Sequence, residues 1–171
     1  GSGTIPIEAA LIAKNRAPGL DRSFSAQRWK TLPSRLWTDA AQEAMDREFH
    51  GSYDIWGGDI DPAAVDLARH NAELAGVDDC VRFEVADAAA FRRESEYGQL
   101  VTNPPYGERL MERSEAEALY RVFGKALLTL PPKWRGGGVL SPTAGERAFC
   151  RTGPEKHKHL HRMMQSDSVL F

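Results

Sequence analysis

The chain has 171 residues, 42% of them hydrophobic and 27% charged, with a formal net charge of −2. That is the profile of one soluble globular domain with a single core, and it excludes a generic nucleic-acid binder, which would carry a marked positive charge. It also excludes a membrane-spanning chain, since no apolar run approaches the ~20 residues that a span needs, and no signal-peptide pattern is present. Cys80 and Cys150 form no C-x-x-C pair and read as free thiols in a reducing cytosol, a disulfide being the alternative. Positive charge is uneven. From Glu146 to Arg162 five Lys/Arg (Arg147, Arg151, Lys156, Lys158, Arg162) face two acids (Glu146, Glu155), either a phosphate-contacting strip or a solvated basic edge.

The opening "GSGT" has no strand before it, and taken alone its "GS" reads as an expression scar. The adjoining stretch Thr4–Arg16 predicts a helix with Thr4 as N-cap, Pro6 in the first turn, and Ile7, Ala10 and Leu11 at i, i+3, i+4. Residues Ala17–Leu36 mix proline, arginine and aromatics without a period and predict a loop with short helical pieces. Thr38–Gly51 predicts a helix capped by Thr38 or Asp39 and stopped by Gly51. Tyr53–Asp59 is a predicted strand. Asp61-Pro62 is an N-cap followed by proline at the first helical position, opening a helix that closes at Gly76. Next come a strand at Val81–Asp87, a short helix, a strand at Gln99–Asn103, a long amphipathic helix at Glu115–Leu130 and a strand in "GGVLSPT" (Gly137–Thr143). His157–His161 and Ser166–Phe171 are further strand candidates. Strands alternating with helices at this spacing predict an α/β fold with a mostly parallel sheet.

In such sheets ligands bind beyond the carboxyl ends of the strands. The glycines at Gly1 and Gly3 open a helix whose N–H groups and dipole can face a polar ligand group, a weak signal by itself. Asp59 ends a strand where a carboxylate can accept both hydroxyls of a ribose, while Asp61 serves as the helix cap. Asp87 ends the next strand and reads equally as an N-cap or as an acceptor for an adenine amino group. The strongest signal is Asn103-Pro104-Pro105-Tyr106. An exocyclic amine conjugated to a purine is a poor nucleophile, because its lone pair lies in the ring's π-system. The Asn103 side-chain oxygen and the Pro104 carbonyl, held by the stiff proline pair, could accept hydrogen bonds from such an amine and stabilise the charge that develops on it. Tyr106 could stack on the extruded base.

"GSGTIPIEAALIAKNRAPGLDR", "GGDIDPAAVDLARHNAELAGV" and "NPPYGERL" together resemble the THUMP-containing class I RNA methyltransferases, S-adenosyl-L-methionine enzymes that modify the guanine N2 amine of ribosomal RNA. N-P-P-Y alone is shared with adenine-N6 DNA methyltransferases and glutamine-N5 methyltransferases; its extension and "KNRAPGLDR" narrow the likeness to the RNA family. The likeness covers essentially all of residues 1–171 and makes "GSGT" a true motif rather than a scar. It implies a Rossmann-like fold with strand order 3-2-1-4-5-7-6. It also implies methionine-side contacts at Gly1, Gly3 and Thr4, ribose at Asp59, adenine near Ile60 and Asp87, and the target base at Asn103, Pro104, Pro105 and Tyr106, with Asn103 bordering the cofactor as well.

The resemblance therefore leads to methylation of guanine N2 in 23S ribosomal RNA in the cytoplasm, without metal or membrane. Methylation of another planar amine (tRNA guanine, adenine N6, protein glutamine) and a non-catalytic nucleotide- or RNA-binding remnant are the rivals. The chain starts inside the family's first motif, so the expected opening strand and an upstream, RNA-gripping THUMP domain are absent from these residues. That strand would lie between Tyr53–Asp59 and Gln99–Asn103, each of which should then lack a ladder partner. Arg109 is a candidate phosphate contact or a partner for Glu108 or Glu112. His157, His159 and His161 alternate onto one face of a possible strand, but with no acid or cysteine joining them a basic edge is the better reading than a metal site.

Overall fold

The computed structural model describes residues 1–103, 113–130 and 133–139, which form two compact units, Gly1–Val85 and a second from Ala86 onward. The first holds α1 (Thr4–Ala13), a short 3-10 helix (Ser25–Arg28), α2 (Ser34–Asp46), β1 (Ile55–Asp59), α3 (Pro62–Ala75) and β2 (Val81–Val85). The second holds a 3-10 turn (Ala88–Ala90), β3 (Tyr97–Thr102), α4 (Arg113–Leu128) and β4 (Lys133–Val139). No described helix is long and apolar enough to cross a membrane.

Both strand pairs are parallel. β1 runs beside β2 with Ile55 opposite Val81 and Asp59 opposite Val85, and β3 runs beside β4 with Tyr97 opposite Lys133. The α/β class with parallel pairing is as expected. Among the described residues each pair forms its own two-stranded sheet. The β4 expectation needs correcting at its start, which is Lys133, four residues before Gly137, because pairing with Tyr97–Thr102 fixes where the strand begins; its expected end, 140–143, lies outside the described residues. The tail strand candidates lie outside the described residues.

The core of the first unit joins α1 (Ile7, Ala10), α3 (Val65, Ala68, Ala72), Val77, Cys80 and the inward residues Val81 and Phe83 of β2. Alternation along β2 follows the two-residue period of a half-buried strand, with Arg82 and Glu84 outside. Cys80 is a buried free thiol; burial, and the Asp79 carboxylate that accepts its hydrogen bond, push it up and disfavour its thiolate. Cys150 is outside the described residues. In the second unit Phe91 and Phe123 meet edge-to-face with centroids 6.2 Å apart, and Ala126 and Leu130 are buried.

α3 is bounded as its sequence dictates. Asp61 Oδ1 accepts from the Ala63 amide at 2.9 Å, Pro62 occupies the first turn, and Gly76 closes the helix at φ 64°, a left-handed conformation that glycine adopts without a Cβ penalty. Asp61→Ala should cost about 0.5–2 kcal/mol, read as a lowered urea midpoint with unchanged slope.

Two helix starts differ from expectation. Thr4 is not the cap of α1: Gly3 is, at φ 79°, and Thr4 is the first helical residue. α2 begins at Ser34, directly after Pro33, rather than at Thr38, and the Thr38 hydroxyl donates to the Arg35 carbonyl inside it. Trp37, Ala41 and Ala44, the half-buried positions at i, i+4, i+7, run through the predicted cap. The same helix stops at Asp46, before Gly51, because the chain is claimed elsewhere: the Phe49 amide donates to the Lys14 carbonyl at 2.7 Å, and Asn15 Nδ2 to the Arg47 carbonyl at 3.0 Å. Asn15 reaches it from a left-handed φ of 53°.

Candidate functional site

At the carboxyl end of β1 the glycine turn and the strand-end acid meet. The Gly1 nitrogen donates to Asp59 Oδ2, although 58 residues separate them, and Asp59 Oδ1 accepts from the Asp61 amide at 3.0 Å. Burial works to raise the Asp59 carboxyl; hydrogen bonds from the Asp61 amide, the Gly1 nitrogen and the Ile60 amide outweigh it and hold the group below its ordinary value. It is therefore an ionised acceptor at neutral pH. Each carboxylate oxygen has a second lone pair beyond the one engaged, which leaves capacity for a diol.

Gly3 is needed for its backbone and for space. A Cβ there would stand 2.8 Å from Ala68 Cβ and 3.0 Å from Phe83 Cζ. Because a glycine caps α1, no side chain caps it, and Pro6 has no N–H to satisfy. The amides of Thr4 and Ile5 thus stay without partners among the described residues, aimed by the helix dipole at the turn. The Thr4 hydroxyl sits 2.9 Å from that of Ser2. A Cβ at Gly1 would meet nothing within 4 Å, and Ile60, next to Asp59, exposes 68% of its surface. A donor-bearing turn, an ionised carboxylate and an exposed apolar side chain beside open space fit an amino-acid–nucleoside ligand.

Two supports of this turn escaped the sequence reading. Asn71 Nδ2 donates to the Ser2 carbonyl at 2.9 Å and ties the turn to α3; its one signal is a polar residue interrupting the inner face formed by Val65, Ala68 and Ala72. Gly57 is buried, and a Cβ on it would come within 2.8 Å of the Phe83 ring and 2.9 Å of Pro6. One phenylalanine ring therefore requires both glycines.

The other predicted site residues belong to the second unit. Asp87 caps the following turn, its Oδ1 accepting from the Ala89 amide at 2.8 Å, so the capping half of its two readings is realised. Asn103 is exposed immediately after β3. Pro104, Pro105, Tyr106, Arg109, the basic stretch 146–162 and the three alternating histidines lie outside the described residues. Among the described residues no cluster of His, Cys, Asp or Glu could hold a metal ion.

Comparison with known proteins gives this geometry a lineage. The chain is 37% identical over 98% of its length to "Putative RNA methyltransferase YpsC" of Bacillus subtilis (strain 168), and spans 43% of that protein. It is 45% identical over 72% of its length to the "Ribosomal RNA large subunit methyltransferase K/L" of Shewanella baltica (strain OS185), spanning 18% of it. Among solved structures, SMU.472, "a putative methyltransferase complexed with SAH", superposes with a TM-score of 0.82 at 35% identity, over 87% of this chain and 40% of that one. The model of one family matches residues 1–165, and the chain accordingly belongs to UPF0020, the RMKL-like methyltransferase domain.

Proposed function

We propose that this chain is the catalytic domain of an S-adenosylmethionine-dependent methyltransferase acting in the cytoplasm on the N2 amine of a guanine in 23S ribosomal RNA. The wider grip on the RNA comes from a THUMP domain outside these residues. The observation that carries the reading is the meeting of the glycine turn with Asp59 beside the unpartnered amides of α1. The ribosomal RNA activity named for the Shewanella relative supports the substrate class. In this reading Gly1, Gly3 and Thr4 hold the methionine end of the cofactor, Asp59 the ribose, and Ile60 and Asp87 the adenine. S-adenosylmethionine, when bound, supplies a methyl group made electrophilic by its sulfonium. Asn103 Oδ1 and the Pro104 carbonyl accept from the target amine and draw its lone pair out of conjugation; Pro105 stiffens the turn, Tyr106 stacks the base, and the amine proton passes to water.

The test is transfer of a tritiated methyl group from the cofactor into separate ribosomal RNA, tRNA and protein fractions, followed by nucleoside digestion of the labelled RNA. N2-methylguanosine from the 23S fraction is expected. Label in N6-methyladenosine or in protein would refute the guanine assignment, and no transfer would favour a binding remnant.

Asp59→Ala should weaken the binding of S-adenosylhomocysteine, with any rate loss recovered at high cofactor concentration. Two charge-assisted hydrogen bonds of about 1.5–3 kcal/mol each are at stake. Calorimetry measures it, and unchanged affinity would remove the ribose from Asp59.

A further inference from the structure

The net charge of −2 conceals a stretch of opposite character. From Arg22 to Thr38 there are four cations (Arg22, Arg28, Lys30, Arg35) and no Asp or Glu. All four side chains are exposed, and none forms an ion pair among the described residues. Elsewhere in the same unit four of the five Lys/Arg are partnered, Lys14 with Asp79, Arg16 with Asp21, Arg47 with Glu43 and Arg69 with Asp66, Arg82 being the exception. The stretch is also folded rather than loose. Phe24 stacks on Trp37 with centroids 6.1 Å apart and planes 17° from parallel, which draws its two ends together. The Arg22 guanidinium lies 4.9 Å above the Phe24 ring, held by a cation–π contact. Successive turns bridge the middle, from the Trp29 amide to the Ala26 carbonyl and from the Leu32 amide to the Trp29 carbonyl. Within this frame Trp29 leaves 61% of its surface in water.

We infer that Arg22–Trp37 is an RNA-contacting surface that takes a strand with unpaired bases. The cations meet its phosphates, and the Trp29 indole is a platform on which one base stacks. This rests on the RNA substrate proposed above and adds to it: part of the grip lies within the catalytic domain. The chemistry is that of single-strand recognition. Exposed aromatics accept any base face, unpaired cations track the backbone, and duplex RNA would offer phosphates to the cations but no base to the indole.

The experiment measures binding of a fluorescein-labelled single-stranded RNA to the chain by anisotropy across a salt series. The variants are Trp29→Ala, Trp29→Phe and the pair Arg28→Gln with Lys30→Gln, all at exposed positions, with circular dichroism confirming the fold of each. Trp29→Ala should bind about 5- to 100-fold more weakly and Trp29→Phe within about threefold of wild type. The glutamine pair should flatten the dependence of log affinity on log salt by about 1.4, two single-strand phosphate contacts of about 0.7 each. Labelled duplex RNA should be insensitive to Trp29→Ala. If these variants keep wild-type affinity and slope while the wild-type protein transfers methyl groups to RNA, the surface is wrong and the function stands. A wild-type protein that neither binds nor methylates RNA overturns both.

Discussion

Asn103→Ala should lower the methylation rate about 10²–10³-fold while leaving the affinity for S-adenosylhomocysteine close to wild type. The proposal gives this amide the task of accepting from the target amine at the moment charge develops on it. Removing one preorganised dipole of that kind costs transition-state stabilisation and little ground-state binding. The side chain is exposed just beyond β3, so its removal leaves no cavity and no buried unpaired group. A rate loss here is therefore not a folding effect, and unfolding midpoints of the two proteins should coincide. The readout is single-turnover transfer of labelled methyl groups into ribosomal RNA alongside calorimetric titration of the cofactor product. Near wild-type turnover would remove Asn103 from the chemistry. A parallel collapse of cofactor affinity would assign it to the cofactor instead of the target base.

Gly3→Ala should destabilise the protein by about 2–5 kcal/mol, a large share of the roughly 5–15 kcal/mol that holds a typical domain together. Two independent costs coincide. A non-glycine residue at φ 79° carries a left-handed penalty of about 1–2 kcal/mol, and the added methyl would press on Ala68 and Phe83, an overpacking cost of about 1–3 kcal/mol. Ala68 Cα stands 3.1 Å from the new Cβ, so backbone as well as side chain would have to yield. Gly1→Ala is the internal control. Open space surrounds that position, and its effect on stability should stay within about 0.5 kcal/mol. Urea denaturation of the two variants decides the matter: equal midpoints would mean that Gly3 is present for the ligand alone and that the turn can relax around a side chain.

Where a residue acts within one turn of itself, the sequence alone determined the outcome. The Asp61 cap, Pro62 in the first turn and the left-handed Gly76 depend on backbone amides two residues away and on glycine's missing Cβ, and no distant contact displaces them here. The parallel α/β class followed from the alternation of strands and helices along the chain. The extent of α2 did not, because its end is set by Lys14 and Asn15, more than thirty residues earlier in the chain. Nor did the cap of α1. Thr4 is a sound capping residue, but the close approach of Ala68 and Phe83 leaves room only for a glycine at the entry, which moves the helix start by one position. The hold of Asn71 on Ser2 and the meeting of Gly1 with Asp59 likewise span 69 and 58 residues. Such contacts form only after loop closure has brought α1, β1 and α3 around one core, and no local signal encodes which side chains will then face each other.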